Sequence, residues 1–155
     1  MSSTATDGAP DTSGSPAKAP SSSTPTRKPL TSLHVLVVDD QEDARDLVAT
    51  VLEDAGARVT QAESAAAALE VLARDSVSVI VSDVGMPIED GYTFIRKVRE
   101  TSSAPETSST PALALTAFAR AEDRARALEA GFQEHVAKPV DLRRLVELVS
   151  SLARR

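Results

Sequence analysis

The chain has 155 residues, of which 41% are hydrophobic, 26% charged and 3% aromatic, and its net charge is −6. This length accommodates one domain of ordinary size plus a tail, with an aliphatic core. The acidic charge disfavours direct nucleic-acid binding, and the absence of cysteine excludes disulfides and thiol nucleophiles. Without a signal peptide or a run of roughly 20 apolar residues, we expect a soluble, cytoplasmic protein with no membrane partner.

Residues 1–29 differ in composition from the rest of the chain. They are mostly Ser, Thr, Ala, Pro and Gly, and they include five of the nine prolines. Two acidic and three basic residues give this segment a net charge of +1, so residues 30–155 carry −7. Because such a composition buries too little apolar surface to order a chain, we predict a disordered arm over 1–29 and one folded domain over 30–155.

The folded part begins with a buried strand followed by an amphipathic helix. The aliphatic run LHVLVV (33–38) is typical of a strand covered on both faces, and Asp39 and Asp40 follow it directly. The next stretch places its apolar residues on one helical face, and Gly56 is suited to end that helix. RVTQAE (58–63) then predicts a short second strand.

A second helix, a third strand and a third helix come next. Ser64 is suited to cap a helix over AAAALEVLARD (65–75), since alanine favours helix. VSVIVSD (77–83) repeats the aliphatic character of the first strand and also ends in an aspartate, Asp83. After a loop, YTFIRKVRE (92–100) predicts the third helix.

The last third of the chain repeats the alternation. Residues 101–110 are polar and predict a loop, and PALALT (111–116) predicts the fourth strand. A helix over about 120–130 leads to a short fifth strand, HVAK (135–138). The apolar spacing over 142–152 predicts a last helix.

Five strands that alternate with five helices predict a parallel sheet covered on both faces, with right-handed crossovers, which is a three-layer α/β sandwich. In such sheets ligands bind at the carboxyl ends of the strands, where the winding reverses. The residues expected at those ends are all polar: Asp39, Asp40, Asp83, Thr116 and Lys138.

Three carboxylates beside a hydroxyl and a lysine are suited to a hard divalent cation and a phosphoryl group. Unpartnered, the carboxylates would repel one another strongly. Each feature alone has an ordinary alternative. An aspartate pair can cap a helix, Thr116 can bond to the main chain, and Lys138–Pro139 can be a surface turn.

Four motifs in this order, VLVVDD, VSDVGMPIEDGY, LALTAF and HVAKP, resemble the receiver domains of bacterial response regulators over roughly residues 32–153. The resemblance implies a flavodoxin-like, doubly wound (βα)5 sandwich with a five-stranded parallel sheet of order 2-1-3-4-5. It also implies that Asp83 accepts a phosphoryl group from a histidine kinase or phosphotransfer protein as an acyl phosphate. Such a chain is a signalling domain and not an enzyme.

The same resemblance implies a Mg²⁺ site. Asp40 and Asp83 would ligate the ion by their side chains, Gly85 by its backbone carbonyl, and Asp39 through water. Neither Gly85 nor Phe118 offers a polar side chain to orient attacking water near the phosphate. We therefore expect slow self-dephosphorylation, with a half-life longer than minutes.

The resemblance also assigns the residues that respond to the phosphate. Lys138 and the Thr116 hydroxyl would contact phosphoryl oxygens, and the Lys138–Pro139 peptide bond would be cis. His135 would stand where many receivers carry a switch aromatic residue. Taken alone, His135 is more ordinarily a half-buried or surface histidine.

The expected output is changed binding of a downstream protein at the face formed by the fourth predicted helix, the fifth strand and the last helix, with a phosphorylation-dependent homodimer as a further option. Since only Ala153-Arg154-Arg155 follow the last helix, we expect a stand-alone receiver or one detached from a hybrid sensor kinase. Three alternatives remain: a phosphorylation-independent binding module, a phosphohydrolase with an aspartate nucleophile, and a flavodoxin-like cofactor binder.

Overall fold

A five-stranded parallel sheet forms the centre of the structure, a computed structural model that describes residues 28–86, 88–100, 105–117 and 120–154. The strands are β1 (His34–Val38), β2 (Arg58–Ala62), β3 (Val79–Asp83), β4 (Ala112–Thr116) and β5 (Glu134–Ala137). Their order across the sheet is β2-β1-β3-β4-β5, and every neighbouring pair is parallel. The predicted order 2-1-3-4-5 is confirmed.

Helices connect all the strands. They are α1 (Glu42–Asp54), α2 (Ala65–Arg74), α3 (Gly91–Glu100), α4 (Pro105–Ser108), α5 (Ala121–Ala130) and α6 (Leu142–Ala153). The predicted cap of α2 is present, because the Ser64 hydroxyl oxygen accepts a hydrogen bond of 3.1 Å from the Ala67 N–H.

The short helix α4 corrects the prediction of a loop over residues 101–110. Proline at the first helical position has a backbone angle already suited to a helix, and its missing N–H is not needed there. The Thr110 hydroxyl donates to the Glu106 carbonyl at 3.0 Å and so stabilises the turn. Polar composition alone does not distinguish such a turn from an irregular loop.

The strands contribute side chains to two apolar layers, one on each face of the sheet. On β1, Leu36 and Val38 pack with residues of α2, α3 and α5, whereas Val35 and Val37 pack with residues of α1 and α6. All four side chains are at most 1% exposed. This alternation explains why the strands read as continuous aliphatic runs, and it confirms the three-layer sandwich.

Residues ahead of the first strand are part of the packed structure. Leu30 is fully buried, and its N–H donates to the Ala55 carbonyl at 2.9 Å. Residues 1–27 lie outside the described residues, so the disordered arm stays a prediction. Within the described ranges, no helix has both the length and the apolar character needed to cross a membrane.

Candidate functional site

The carboxyl ends of the central strands bring the predicted residues to one edge of the sheet. In the parallel register Val38 pairs with Ser82, and Asp83 pairs with Leu115. Asp39 is the next residue after Val38, so it lies beside Asp83. The two aspartates are 44 positions apart in the chain and become neighbours because adjacent parallel strands end together.

Three carboxylates converge at this edge. Asp39, Asp40 and Asp83 each offer one oxygen, and these oxygens all lie within 4.8 Å of one another. Asp39 is 1% exposed and Asp83 is 7% exposed, whereas Asp40 faces solvent. A cluster of hard oxygen donors, partly buried and partly open to solvent, fits Mg²⁺, which binds proteins through carboxylates and keeps several waters.

Burial sets the protonation preference of Asp39. Its desolvation raises the pKa of this carboxyl above 3.8, and the charge of Asp83 adds to the increase. The Gln41 N–H donates to Asp39 Oδ1 at 2.9 Å and lowers the pKa, as does Lys138, but these contacts do not offset burial. The charged form of Asp39 therefore lacks full compensation from its protein neighbours, as expected at a cation site.

Lys138 supplies the positive charge that faces the cluster. Its Nζ lies 3.1 Å from Asp83 Oδ1 and 3.4 Å from Asp39 Oδ2. Burial acts to lower the pKa of Lys138, but the hydrogen bond and charge of Asp83, together with Asp39, raise it overall. The ammonium therefore stays charged at neutral pH and is fixed beside the predicted phosphoacceptor.

A pocket of about 250 Å³ opens over Asp83. Its lining residues are Asp40, Gln41, Asp83, Val84, Gly85, Thr116, Ala117 and Lys138. Thr116 is buried at the end of β4, and its carbonyl accepts a hydrogen bond of 2.7 Å from the Lys138 N–H. The Lys138–Pro139 peptide bond is cis, in agreement with the resemblance.

Two predicted residues stand apart from this group. His135 lies within β5, half-buried and in register with Ala114, so it is not at the strand end that forms the pocket. Phe118 lies outside the described residues. The switch role of His135 and the effect of Phe118 on phosphate lifetime therefore stay predictions.

The sequence patterns missed two residues that support the site. Arg45 on α1 donates from Nη1 to the Asp39 carbonyl at 2.9 Å. Gly91 opens α3 so close to the site that a Cβ there would lie 2.5 Å from the carbonyl oxygen of Asp83. The Asp90-Gly91 dipeptide marks a turn and is a usable signal for Gly91. Arg45 offers no such signal, because a basic residue on an amphipathic helix is ordinarily solvated.

Known proteins are similar to this chain along most of its length. An "uncharacterized 14.6 kDa protein" of Leptolyngbya boryana is 48% identical over 120 residues, which make up 77% of this chain and 89% of that protein. The sensor protein GacS of Pseudomonas syringae is 35% identical over 115 residues, which are 74% of this chain. The match spans 13% of GacS, so the chain corresponds to a small part of that relative.

Solved structures show the same architecture. The chemotaxis response regulator CheY4 of Vibrio cholerae aligns with a TM-score of 0.72 at 31% identity, covering 79% of this chain and 99% of that chain. The family model described as the response regulator receiver domain matches residues 35–150, a range that includes all of the sheet except the first residue of β1 and extends into α6. The chain therefore belongs to the response regulator receiver domain family.

Proposed function

We propose that the chain is a phosphoacceptor receiver, in which Asp83 takes a phosphoryl group from a histidine kinase or phosphotransfer protein in a Mg²⁺-dependent reaction. Membership of the receiver family makes it a signalling domain of two-component systems. One observation carries the finer proposal: Asp83 ends a central strand with Lys138 Nζ at 3.1 Å and with carboxylate oxygens of Asp39 and Asp40 within 4.8 Å.

The transfer is a displacement at phosphorus. An Asp83 carboxylate oxygen forms a bond to phosphorus while the bond from phosphorus to the donor's imidazole nitrogen breaks. The electron pair of the broken bond stays on the imidazole, which takes up a proton from solvent. The chain's part is to hold the nucleophilic oxygen at the open side of the pocket and to place compensating charge around it.

Lys138 and Thr116 act on the charge that the reaction brings in. The Lys138 ammonium already contacts Asp83 Oδ1 and would bind a phosphoryl oxygen as a point charge. Thr116 lines the same pocket, and its hydroxyl can donate to another phosphoryl oxygen. Since the main-chain N–H of Lys138 donates to the Thr116 carbonyl, a movement of one backbone segment would be transmitted to the other.

Asp40, Asp83 and the Gly85 carbonyl would hold Mg²⁺ directly, and Asp39 would hold it through water. Bound Mg²⁺ supplies positive charge that offsets the charge of the phosphoryl oxygens. The donor set supports this assignment, because all four groups are oxygens, and Gly85 lines the pocket together with Asp40 and Asp83. The raised pKa of Asp39 adds to this, since a cation would relieve the repulsion that contributes to it.

Intact-mass measurement after incubation with Mg²⁺ and acetyl phosphate tests the proposal. We expect a phosphate-sized mass gain in the wild type and none in Asp83→Asn. Asp46→Asn is the matched control, because Asp46 is an exposed aspartate on α1, and it should label like the wild type. No gain in the wild type under conditions that label another receiver would favour a phosphorylation-independent binding module. Turnover of an external phosphoester would favour a phosphohydrolase.

The output of the phosphorylated chain is changed binding of a protein partner in the cytoplasm. The surface for this is the face formed by α5, β5 and α6, which correspond to the fourth predicted helix, the fifth strand and the last helix. β5 is the edge strand next to β4, so it adjoins the strand that carries Thr116. A downstream protein or a second phosphorylated copy would bind there, and residues 1–29 would serve as a flexible arm.

A further inference from the structure

Arg45 makes two contacts that tie the site to its surroundings. This residue is half-buried on α1. Its Nη1 donates to the Asp39 carbonyl at 2.9 Å, and its Nε donates to Gln61 Oε1 at 3.0 Å. One guanidinium thus links α1, the loop after β1 and the neighbouring strand β2.

The carbonyl that Arg45 binds determines the direction of Asp40. The Asp39 carbonyl belongs to the planar peptide unit that joins Asp39 to Asp40. Holding its oxygen therefore fixes the position of the Asp40 Cα, from which the Asp40 side chain extends. The Asp39 N–H is held by the Ala62 carbonyl at 3.1 Å, and the Asp39 side chain is held by the Gln41 N–H. The contact from Arg45 completes this set by fixing the carbonyl.

Asp40 depends on such support more than the other two carboxylates do. Asp39 and Asp83 are buried and both contact Lys138, whereas Asp40 is exposed. Its carboxylate is held within 4.8 Å of two others, and mutual repulsion favours its rotation away into solvent. A fixed main chain keeps Asp40 within reach of a shared ion.

We infer that Arg45 is a positioning residue of the cation site, which orients Asp40 through the Asp39 carbonyl without contacting the ion itself. The inference rests on the proposed Mg²⁺-dependent function and adds a residue outside the strand ends. Groups that orient metal ligands typically change metal affinity strongly when removed. Arg45→Met keeps the apolar stem of the side chain but loses both hydrogen bonds, so we expect it to bind Mg²⁺ roughly tenfold more weakly.

Calorimetric titration of the full chain with MgCl₂ tests this directly, alongside amide hydrogen exchange of the metal-free protein. Arg99→Met is the matched control, because Arg99 also donates to main-chain carbonyls, but at the opposite edge of the sheet. Its affinity should stay within about twofold of the wild type even though its stability falls. Arg45→Lys keeps one donor near the Asp39 carbonyl and should recover part of the lost affinity. In Arg45→Met, the Gln41 N–H should exchange faster.

Three results would overturn the inference: Mg²⁺ affinity of Arg45→Met within about twofold of the wild type, an equal loss in Arg99→Met, or no recovery in Arg45→Lys. A wild type that does not bind Mg²⁺ would overturn it as well. The outcome is separable from that of the proposed function. Mg²⁺ binding that depends on Arg45 in a protein that takes no phosphate would support the positioning role and reject phosphoacceptance.

Discussion

Two charged residues of the site, Asp39 and Lys138, lose hydration when the chain folds. Asp39 is almost fully buried, and burial raises its pKa even though the Gln41 N–H and Lys138 both favour its charged form. Lys138 keeps its charge because Asp83 and Asp39 offset its own desolvation. The metal-free protein therefore maintains a carboxylate in a place where a neutral group would be more stable, as is typical of functional sites.

Asp39→Asn is expected to raise the melting temperature of the metal-free protein at neutral pH. Because the folded-state pKa of Asp39 is raised, its contribution to stability is full at pH values below the ordinary aspartate pKa and is lost as the pH rises through the folded-state value. The advantage of the uncharged variant should therefore grow from acid to neutral pH. Thermal melts with a chelator present measure it.

Asp46→Asn is the control for this pH series, because Asp46 is exposed on α1 and should show no such pH-dependent gain. A lower melting temperature of Asp39→Asn than of the wild type at neutral pH would show that the contacts of Asp39 with Gln41 and Lys138 outweigh its desolvation. Addition of Mg²⁺ should reduce the difference between the wild type and Asp39→Asn, since only the wild type retains all three carboxylates.

At the scale of elements, hydrogen bonds hold α3 in place at both of its ends, one near the carboxyl ends of the strands and the other near their amino ends. Near the site, the Gly91 N–H donates to the Val84 carbonyl at 3.1 Å, so α3 begins directly against the end of β3. At the opposite edge, Arg99 joins the end of α3 to the end of α5 and to α4 by donating to carbonyl oxygens. These two attachments hold α3 between β3 and α5.

Gly91→Ala is expected to destabilise the fold by about 1–3 kcal/mol, because the new methyl group would meet main-chain atoms that cannot rotate away. The added Cβ would lie 2.5 Å from the Asp83 carbonyl oxygen and 2.7 Å from the Val84 Cα. The forced shift displaces the end of β3, so labelling of Asp83 by acetyl phosphate should slow. Urea denaturation and intact mass report the two effects.

Gly85→Ala is the steric control for Gly91→Ala. The nearest atom to a Cβ at Gly85 is Asp83 Oδ2 at 3.9 Å, which is an ordinary contact. Its stability should stay within about 0.5 kcal/mol of the wild type. Equal stabilities of Gly91→Ala and Gly85→Ala would contradict the close approach of α3 to β3.

Arg99→Met is expected to cost about 2–3 kcal/mol of unfolding free energy in urea, because it removes charge-assisted hydrogen bonds to several acceptors. The guanidinium donates to the Gly131 carbonyl at 3.0 and 2.8 Å and to the Ser108 carbonyl at 3.1 Å. Burial lowers the pKa of Arg99, so its charge is maintained against desolvation. Arg96→Met, an exposed arginine of the same helix, should change little.

Across the whole molecule, the site and the proposed output face are connected by two neighbouring strands, β4 and β5. Thr116 ends β4 and pairs with Ala137 of β5, and the Lys138 N–H donates to the Thr116 carbonyl. His135 lies two residues before Ala137 on the same strand. A displacement of Thr116 toward a phosphoryl group would therefore be transmitted along β5 to the surface between α5 and α6.

Thr116→Ala is expected to separate phosphorylation from the structural response. With Mg²⁺ and beryllofluoride as a stable phosphoryl analogue, the wild type should change its amide hydrogen exchange in α5 and β5. The variant should still label on Asp83 with acetyl phosphate but should show little of that change, because it lacks the hydroxyl that we propose contacts the phosphoryl oxygen. The same exchange changes in both proteins would exclude Thr116 as the link.

The sequence by itself determined the order of the elements, the parallel sheet and the residues at the strand ends. Apolar periodicity and strand-ending aspartates are local features, and the rule that parallel strands end at one edge converts them into a site. Four motifs in series were sufficient to indicate the receiver family. The same local reasoning failed for residues 105–108, where a polar composition is compatible with either a loop or the short helix α4.

Only the tertiary structure decided how the site is held together. The contacts of Lys138 with both Asp39 and Asp83, of Arg45 with the Asp39 carbonyl, and the tight packing of Gly91 against β3 each join segments that meet only after the sheet has formed. A sequence pattern records which side chains are available, whereas distances of about 3 Å between them depend on strand register and helix packing. For that reason the positioning role of Arg45 became visible only in the folded chain.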